Sequence, residues 1–459
     1  MTSTLVMRFY GGVEGSIGGN ALALELKKGE KSLSYFFDFG VNLESRRKYI
    51  ELRGEPPETL EEYQRSGFLP ELEKTEVRAC FVSHGHTDHY IALKALVSSA
   101  WAPQTIWSSK TTKLFLGNLE SQMRQFALVY DPFERKSNYY DQKALEMGDA
   151  LEVGPFPVDH SVPGSCAYII ETRGVILLYT GDFRCHGPLT KNLDFQFWDY
   201  VKKRRDGKKL ILLTEGTNFG TAVRHTTEES VKERLRSILK EYSRHVLVIV
   251  ITEKDMWRLS LIQEVVQEEN SAGRSQRRLL YAPSIAKQVN QVSHAFRDDY
   301  GRILPPQLID QYFKRFVIPD EQRFTTESLG QVIWDPSKFL IVTDRRGGFK
   351  TCDMIVAKLK YRGGGGACIL SLSEIFEEEA GISTREYART VAELGFNVEE
   401  LHSSGHVFPS DLVRVVKTLQ PDEVYLMHTL APGGLRQFLK AHLGIDAITP
   451  EVGRSYVMQ

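Results

Sequence analysis

The chain has 459 residues, with 58 basic and 59 acidic side chains, a formal net charge of −1 and 42% hydrophobic residues. That is ordinary globular composition, which excludes disorder, a collagen-like rod and a small disulfide scaffold, and the length suits roughly two or three structural units. A near-neutral charge removes the simple electrostatic argument for nucleic acid, so a polyanion would need a local patch.

From the N-terminus, Leu5–Tyr10 reads as a strand, followed by a turn containing Gly11, Gly12, Gly15, Gly18 and Gly19 and a second strand, Ala21–Leu26. The glycine spacing is not that of a dinucleotide fingerprint and the following segment alternates like a strand, so a hairpin is expected. A third strand, Leu33–Phe37, leads to Asp38 and Gly40; a polar, helix-prone stretch follows, then a fourth strand, Val77–Ser83. Ile91–Ala100 reads as a helix, and Ala150–Val153, Ala167–Glu171, Val175–Tyr179 and Leu210–Thr214 as strands. From about residue 219 to 395, helical stretches alternate with the apolar strands Val246–Ile251, Leu279–Tyr281, Phe339–Val342 and Ala367–Leu372, the pattern of a small parallel α/β unit. The tetraglycine Gly363–Gly366 is a turn, with no phosphate-loop motif around it.

No window approaches about 18 consecutive apolar residues, and Met1–Gly12 has neither a basic nor an apolar leader region, so a cytoplasmic protein without a membrane segment is expected. Cys80, Cys166, Cys185, Cys352 and Cys368 are scattered without a pairing pattern, which fits reduced thiols.

His84-Gly85-His86-Thr87-Asp88-His89 places four potential metal ligands within six residues at the end of an expected strand. Three imidazoles and a carboxylate in one turn would repel and desolvate one another unless a cation held them. His160, Asp182 and His428 add candidates at strand ends or adjoining loops, and seven ligands suit two metals sharing a carboxylate.

This ordered set resembles the metallo-β-lactamase superfamily, with Asp38 where that family keeps its first motif. Glu215 in Leu213–Thr217, the Ser-Gly-His element Ser404-Gly405-His406 and His428 after Tyr425-Leu426-Met427 are together similar to the β-CASP nucleases, and the Ser-Gly-His form resembles the ribonuclease J branch. The resemblance implies an α/β fold, a four-layer αββα metallo-β-lactamase sandwich formed by residues 1–218 and 396–459, with a β-CASP domain inserted at 219–395. It implies one metal on His84, His86 and His160, a second on Asp88, His89 and His428, and Asp182 bridging them. Imidazole and carboxylate ligands without thiolate favour zinc, with manganese the alternative. Two cations about 3.5–4 Å apart can share a hydroxide at neutral pH and stabilise a phosphorane-like transition state. His406 would then donate to a phosphate oxygen or to the departing oxygen, and Glu215 would fix its tautomer, making Asp88, Asp182, Glu215 and His406 the catalytic group. Asp38 would order the ligand loop from behind.

His402, Ser404, Gly405, Arg345 and Arg346 are the candidate substrate contacts. His186, His225, His245, His294 and His442 lack ligand-like context. The run Lys202–Lys209 is a nucleic-acid patch or a solvated loop. The ribonuclease J branch carries a glycine-, serine- and glutamine-rich turn that helps seat a 5′-phosphate, and Thr343–Gly348 departs from it, which speaks against monophosphate sensing. The chain ends soon after His428, without that family's C-terminal dimerisation domain, so a monomer or a differently built homodimer is expected. The reading that results is a metal-dependent exo- or endonuclease acting on single-stranded nucleic acid, RNA before DNA. The alternatives are a small-molecule metallo-hydrolase of lactonase or thioesterase type, which has no need of Glu215 or the Ser-Gly-His element, and a non-catalytic nucleic-acid-binding subunit.

Overall fold

The computed structural model describes residues 3–117, 123–126, 128, 138–220, 226–252, 254–359, 366–372 and 384–458. Among them are eighteen strands: β1 Thr4–Gly11, β2 Ala21–Lys28, β3 Lys31–Phe39, β4 Glu76–Phe81, β5 Thr105–Ser108, β6 Met123–Gln125, β7 Tyr139–Tyr140, β8 Glu152–Pro157 and β9 Cys166–Glu171 in the first half. The second half adds β10 Val175–Tyr179, β11 Lys209–Glu215, β12 Leu247–Ile251, β13 Arg278–Tyr281, β14 Phe339–Asp344, β15 Ala367–Ser371, β16 Asn397–Glu400, β17 Glu423–Met427 and β18 Ser455–Met458. They form three sheets, ordered β18-β1-β2-β3-β4-β5-β6, β17-β11-β10-β9-β8-β7 and β13-β14-β12-β15-β16. Gly363–Gly365 and His225 lie outside the described residues.

Two compact units result. One comprises residues 1–223, 298–304 and 405–459; the other comprises 224–297 and 305–404. In the first unit, the aromatic inner faces of two mixed sheets meet. Phe37 stacks on Phe81 at 4.9 Å and meets Tyr168 edge-on at 5.7 Å, and the Tyr168 hydroxyl donates to the Val82 carbonyl at 2.8 Å. On the outer face of the first sheet, Phe36, Cys80 and Ile106 pack with Leu60, Tyr63, Leu93 and Leu96 from the helices Leu60–Arg65 and Leu93–Val97. On the outer face of the second, Ile176, Leu178, Leu210 and Leu212 pack with side chains of the helices Thr190–Arg204, Pro409–Leu419 and Pro432–Leu443. Because both faces of the central strands are covered, sequences such as Val175–Tyr179 are apolar at every position. The layering is αββα.

The second unit is a parallel sheet, as its alternating pattern requires. Its core joins Val248, Val250, Ile341 and Leu370 to Cys352 and Ile355 of the helix Arg345–Leu359. Asn397–Glu400, placed by the sequence reading outside this unit, is its edge strand; a polar, half-exposed strand carries no apolar signature.

Three local expectations shift. The strand expected at Ala150–Val153 begins at Glu152 and continues through Pro155 and Pro157, where β8 pairs with β9 on one side and β7 reaches only Glu152 and Val153 on the other. Among the described residues, the donorless prolines therefore sit on an edge where no ladder bond is lost. The helix expected over Ile91–Ala100 is only Leu93–Val97, closed by the Ser98 and Ser99 hydroxyls, which donate to the Lys94 and Leu96 carbonyls. The strand read as Phe339–Val342 extends to Asp344, and Arg345 opens the next helix. All five cysteines are buried free thiols. Among the described residues no helix is long and apolar enough to cross a membrane.

Candidate metal centre

The His84–His89 segment leaves β4 and closes in a 3-10 turn, Thr87–His89, pressed against the glycine-rich hairpin. Glycine is required here by proximity. A Cβ on Gly40 would stand 1.6 Å from the Asp88 carbonyl oxygen, and one on Gly18 (φ 75°) would stand 2.7 Å from Asp88 Oδ2. The Gly19 amide donates to that same Asp88 carbonyl at 3.1 Å. The glycines that could suggest a nucleotide motif thus make room for the ligand loop.

The seven candidate ligands converge. His86 Nδ1 lies 3.0 Å from His84 Nε2 and 3.1 Å from His160 Nε2. His428 Nε2 and His89 Nε2 stand 3.3 and 3.5 Å from Asp88 Oδ2. Asp182 Oδ2 is central, at 3.1, 3.6 and 3.7 Å from Nε2 of His89, His428 and His84. Donor atoms group as His84, His86, His160 and Asp182; as Asp88, His89 and His428; and as Asp182, Glu215, His406 and His428. All are buried except His86, which is partly exposed.

These residues fit a cation. Asp88 Oδ1 and Asp182 Oδ1 are buried without a hydrogen-bond partner, an expensive arrangement for a carboxylate unless a positive charge occupies the space between. Burial pushes the His84 and His160 pKa values well below the ordinary imidazole value, and neighbouring imidazoles add to this, so both present neutral lone pairs. Burial opposes ionisation of Asp88, yet His89 and His428 bring its carboxyl down to about 2. Divalent metal binding follows from the donor set.

The outer ring nitrogens are held as a metal site requires. His89 Nδ1 donates to Asp38 Oδ2 at 2.7 Å, and His160 Nδ1 donates to the Gly405 carbonyl at 2.6 Å. His84 Nδ1 meets Ser83 Oγ at 3.0 Å, while that hydroxyl donates to Asp38 at 2.8 Å. Asp38, in a left-handed conformation (φ 55°), also accepts from the Ser83 amide at 2.7 Å and the Tyr179 hydroxyl at 2.5 Å. Gly405 was expected to contact substrate. Its carbonyl is committed to His160, and a Cβ there would stand 2.9 Å from Ser161 Oγ.

Glu215 ends β11 and contacts His406: Oε2 accepts from His406 Nδ1 at 2.9 Å, and Oε1 from the Phe183 amide at 2.9 Å. Burial works against charge on His406, but the Glu215 carboxylate, with Asp182 and Asp88 behind it, raises the ring's pKa. His406 Nδ1 is 3.8 Å from Asp182 Oδ2.

Sequence reasoning missed four supports. Thr217 contacts the His428 ring at 2.7 Å, and Asn218 Nδ2 donates to the His406 carbonyl at 2.9 Å. Asp159 and Arg184, both buried, form an ion pair at 2.9 Å beside His160 and Asp182, and Asp159 Oδ2 accepts from the Leu189 amide at 2.6 Å. A charged residue within two positions of each of two candidate ligands, Asp159 before His160 and Arg184 after Asp182, was the available signal. Thr217 and Asn218 had none, since their partners are some 200 residues away in sequence.

Arg345, Arg346, His402 and Ser404 belong to the second unit. Arg345 lies 5.7 Å from the Tyr387 ring centroid, and Arg346 is exposed. The basic run is largely structural: Arg204 and Lys208 pair with Glu171, Arg205 with Asp422 and Lys209 with Glu423, which leaves Lys202 and Lys203 exposed. His186 stacks on Phe408 at 4.0 Å, His245 and His294 meet Tyr242 and Phe313, and His442 Nδ1 donates to the Phe438 carbonyl.

Comparison with known proteins agrees with this geometry. Residues 51–241 match the metallo-beta-lactamase superfamily family model. A ribonuclease J of Sinorhizobium meliloti is 24% identical over 404 residues, 84% of this chain and 63% of that protein. A ribonuclease J of Helicobacter pylori is 21% identical over 361 residues, 76% of this chain and 47% of that protein. The chain therefore spans less than two thirds of the length of these curated relatives. The crystal structure of a protein of unknown function from Enterococcus faecalis superposes with a TM-score of 0.65 at 18% identity, over 99% of this chain and 100% of that one, a likeness of fold. With its αββα layers and its buried histidine and aspartate constellation, the chain is similar to the metallo-beta-lactamase superfamily over residues 51–241 and to the ribonuclease J proteins across most of its length.

Proposed function

We propose that the protein is a metal-dependent nuclease that hydrolyses phosphodiester bonds of single-stranded nucleic acid, RNA before DNA. His84, His86 and His160 would hold one divalent ion and Asp88, His89 and His428 a second, with Asp182 shared. Zinc suits the imidazole-rich set, and manganese is the alternative. Bound there, such ions supply a nucleophile at neutral pH and neutralise charge on the phosphate.

The chain's own residues do the rest. His406 Nδ1–H is engaged by Glu215, so the protonated ring has Nε2–H to hand to the departing oxygen, and Glu215 keeps that orientation through the transfer. Asp38 and the Gly405 carbonyl lock His89 and His160 with their other nitrogens facing inward. Arg346, with Arg345, His402 and Ser404, is assigned to the substrate backbone, where an exposed guanidinium on a helix's first turn suits phosphate.

The observation that carries the reading is the Glu215–His406 pair, placed 3.8 Å from Asp182 in addition to a complete ligand set. A lactonase or thioesterase uses the ligands but has no task for that pair. The test is incubation of purified protein with 5′- and 3′-labelled RNA and DNA single strands plus zinc or manganese. Cleavage of RNA is expected. Hydrolysis of lactones or thioesters with both nucleic acids left intact overturns the proposal.

A further inference from the structure

Each ligand histidine with a defined outer nitrogen faces a group that can only accept, or one whose own proton is committed elsewhere. His89 has the Asp38 carboxylate and His160 the Gly405 carbonyl. His428 differs, because its Nδ1 meets a hydroxyl, Thr217 Oγ1, at 2.7 Å. A hydroxyl both donates and accepts, so this contact alone leaves the tautomer open.

A second contact gives the hydroxyl proton another acceptor. The same Oγ1 lies 3.1 Å from the His428 carbonyl oxygen, which cannot donate. A ligand histidine must keep Nε2 bare and so carry its proton on Nδ1, and the Thr217 oxygen can receive that proton because its own has this carbonyl to go to. Nε2 is left as the bare nitrogen, facing Asp88 Oδ2 at 3.3 Å and Asp182 Oδ2 at 3.6 Å. The contact also fixes the backbone. His428 is held in a left-handed conformation (φ 49°) that a histidine rarely adopts, with its amide donating to the Gly12 carbonyl at 2.7 Å and its carbonyl accepting from Gly216 at 3.4 Å. Thr217 and His428 are both fully buried, so no water competes for these bonds.

We propose that Thr217 is a positioning residue that sets both the tautomer and the ring orientation of His428, and thereby the affinity of the second metal position. The proposal rests on the reading of His428 as a ligand of that position. Replacing the hydroxyl by a methyl of the same shape should remove the tautomer lock without opening a cavity.

The test is a chelator-competition titration of zinc into the full-length protein, comparing wild type with Thr217→Val, Thr217→Ser and His428→Ala. His428→Ala identifies which of two dissociation constants belongs to the second position. Thr217→Val is expected to weaken that constant by roughly 10–100-fold, the usual worth of a group that orients a metal-bound histidine, and to leave the other within about twofold. Thr217→Ser, which keeps the hydroxyl, is expected to restore it. Thr217→Ala takes the place of valine if that variant does not fold. Wild-type affinity in Thr217→Val, equal weakening of both constants, or serine as weak as valine overturns the assignment of Thr217 alone. If wild type binds fewer than two zinc ions, or His428→Ala moves neither constant, the dinuclear reading fails and this proposal fails with it.

Discussion

The two sides of the metal centre are built by opposite means. Four candidate ligands, His84, His86, Asp88 and His89, come from six consecutive residues, and their turn is seated through its backbone, by the Gly19 amide and the space left at Gly18 and Gly40, with Asp38 and Ser83 holding two of the rings. His406 and His428 arrive from beyond the second unit and are held through side chains. The end of β11 and the short segment after it supply these: Glu215 to the His406 ring, Thr217 to the His428 ring and carbonyl, Asn218 to the His406 carbonyl. A contiguous turn needs room to pack, whereas side chains from separate segments need explicit bonds, since chain connectivity does nothing to place them. Asp182 Oδ2, close to His84 and His89 on one side and to His428 on the other, is where the two constructions meet.

Asp182→Asn should therefore have the largest consequence. Turnover is expected to fall by about three orders of magnitude or more, some 4 kcal/mol of barrier, while thermal unfolding shifts far less. Rate and melting temperature on one preparation check this, and retention of more than about a tenth of the rate would remove Asp182 from its central role. His406→Ala is expected next, with both metals retained and phosphodiester cleavage down about a hundredfold or more. Metal content on the same sample is decisive, because Asp182, Glu215, His406 and His428 also lie close enough to share an ion. Loss of one equivalent would make His406 a ligand and move it to the other side of the comparison.

The backbone-held side can be broken by one carbon. Gly40→Ala puts a methyl where the Asp88 carbonyl stands, and overpacking of that kind costs about 1–3 kcal/mol or more. Denaturant titration should show the loss; a stable variant with intact metal content would mean that the turn is less constrained than its packing suggests. Asp38→Asn is milder, because asparagine tolerates the left-handed backbone at φ 55°. It weakens the hold on His89 and Ser83, and a roughly 10–100-fold fall in metal affinity is expected by chelator competition. The smallest effect is expected from Glu215→Gln, which still accepts from His406 but without charge. A loss of about tenfold in rate with unchanged metal content would distinguish orientation from ligation.

Much of this was legible in the sequence because the relevant signals are local. Apolar runs and glycine turns located most strands, and a doubly covered strand such as Val175–Tyr179 announces itself in five residues. His84–His89 needs no tertiary information to be read as a metal turn, since its electrostatic conflict exists within a single loop. Asp38, Glu215 and His406 were recognisable by motif order. What the sequence misplaced has identifiable reasons: a polar edge strand at Asn397–Glu400, prolines in β8 that still pair in register with β9, and a basic run whose charges are answered by Glu171, Asp422 and Glu423 far along the chain.

Composition, periodicity and the clustered histidines determined the α/β class, the parallel second unit and the presence of a metal site, because these depend on neighbours a few residues apart. Only the tertiary structure decided that the glycines serve the ligand turn, that Gly405 is bound to His160, that Thr217 and Asn218 hold His428 and His406, and that Asp159 pairs with Arg184. Those contacts join segments separated in sequence, and apart from the charges near His160 and Asp182 they leave no pattern. Which nitrogen of a histidine faces a metal is settled by the group on its far side, and that group is chosen by the fold.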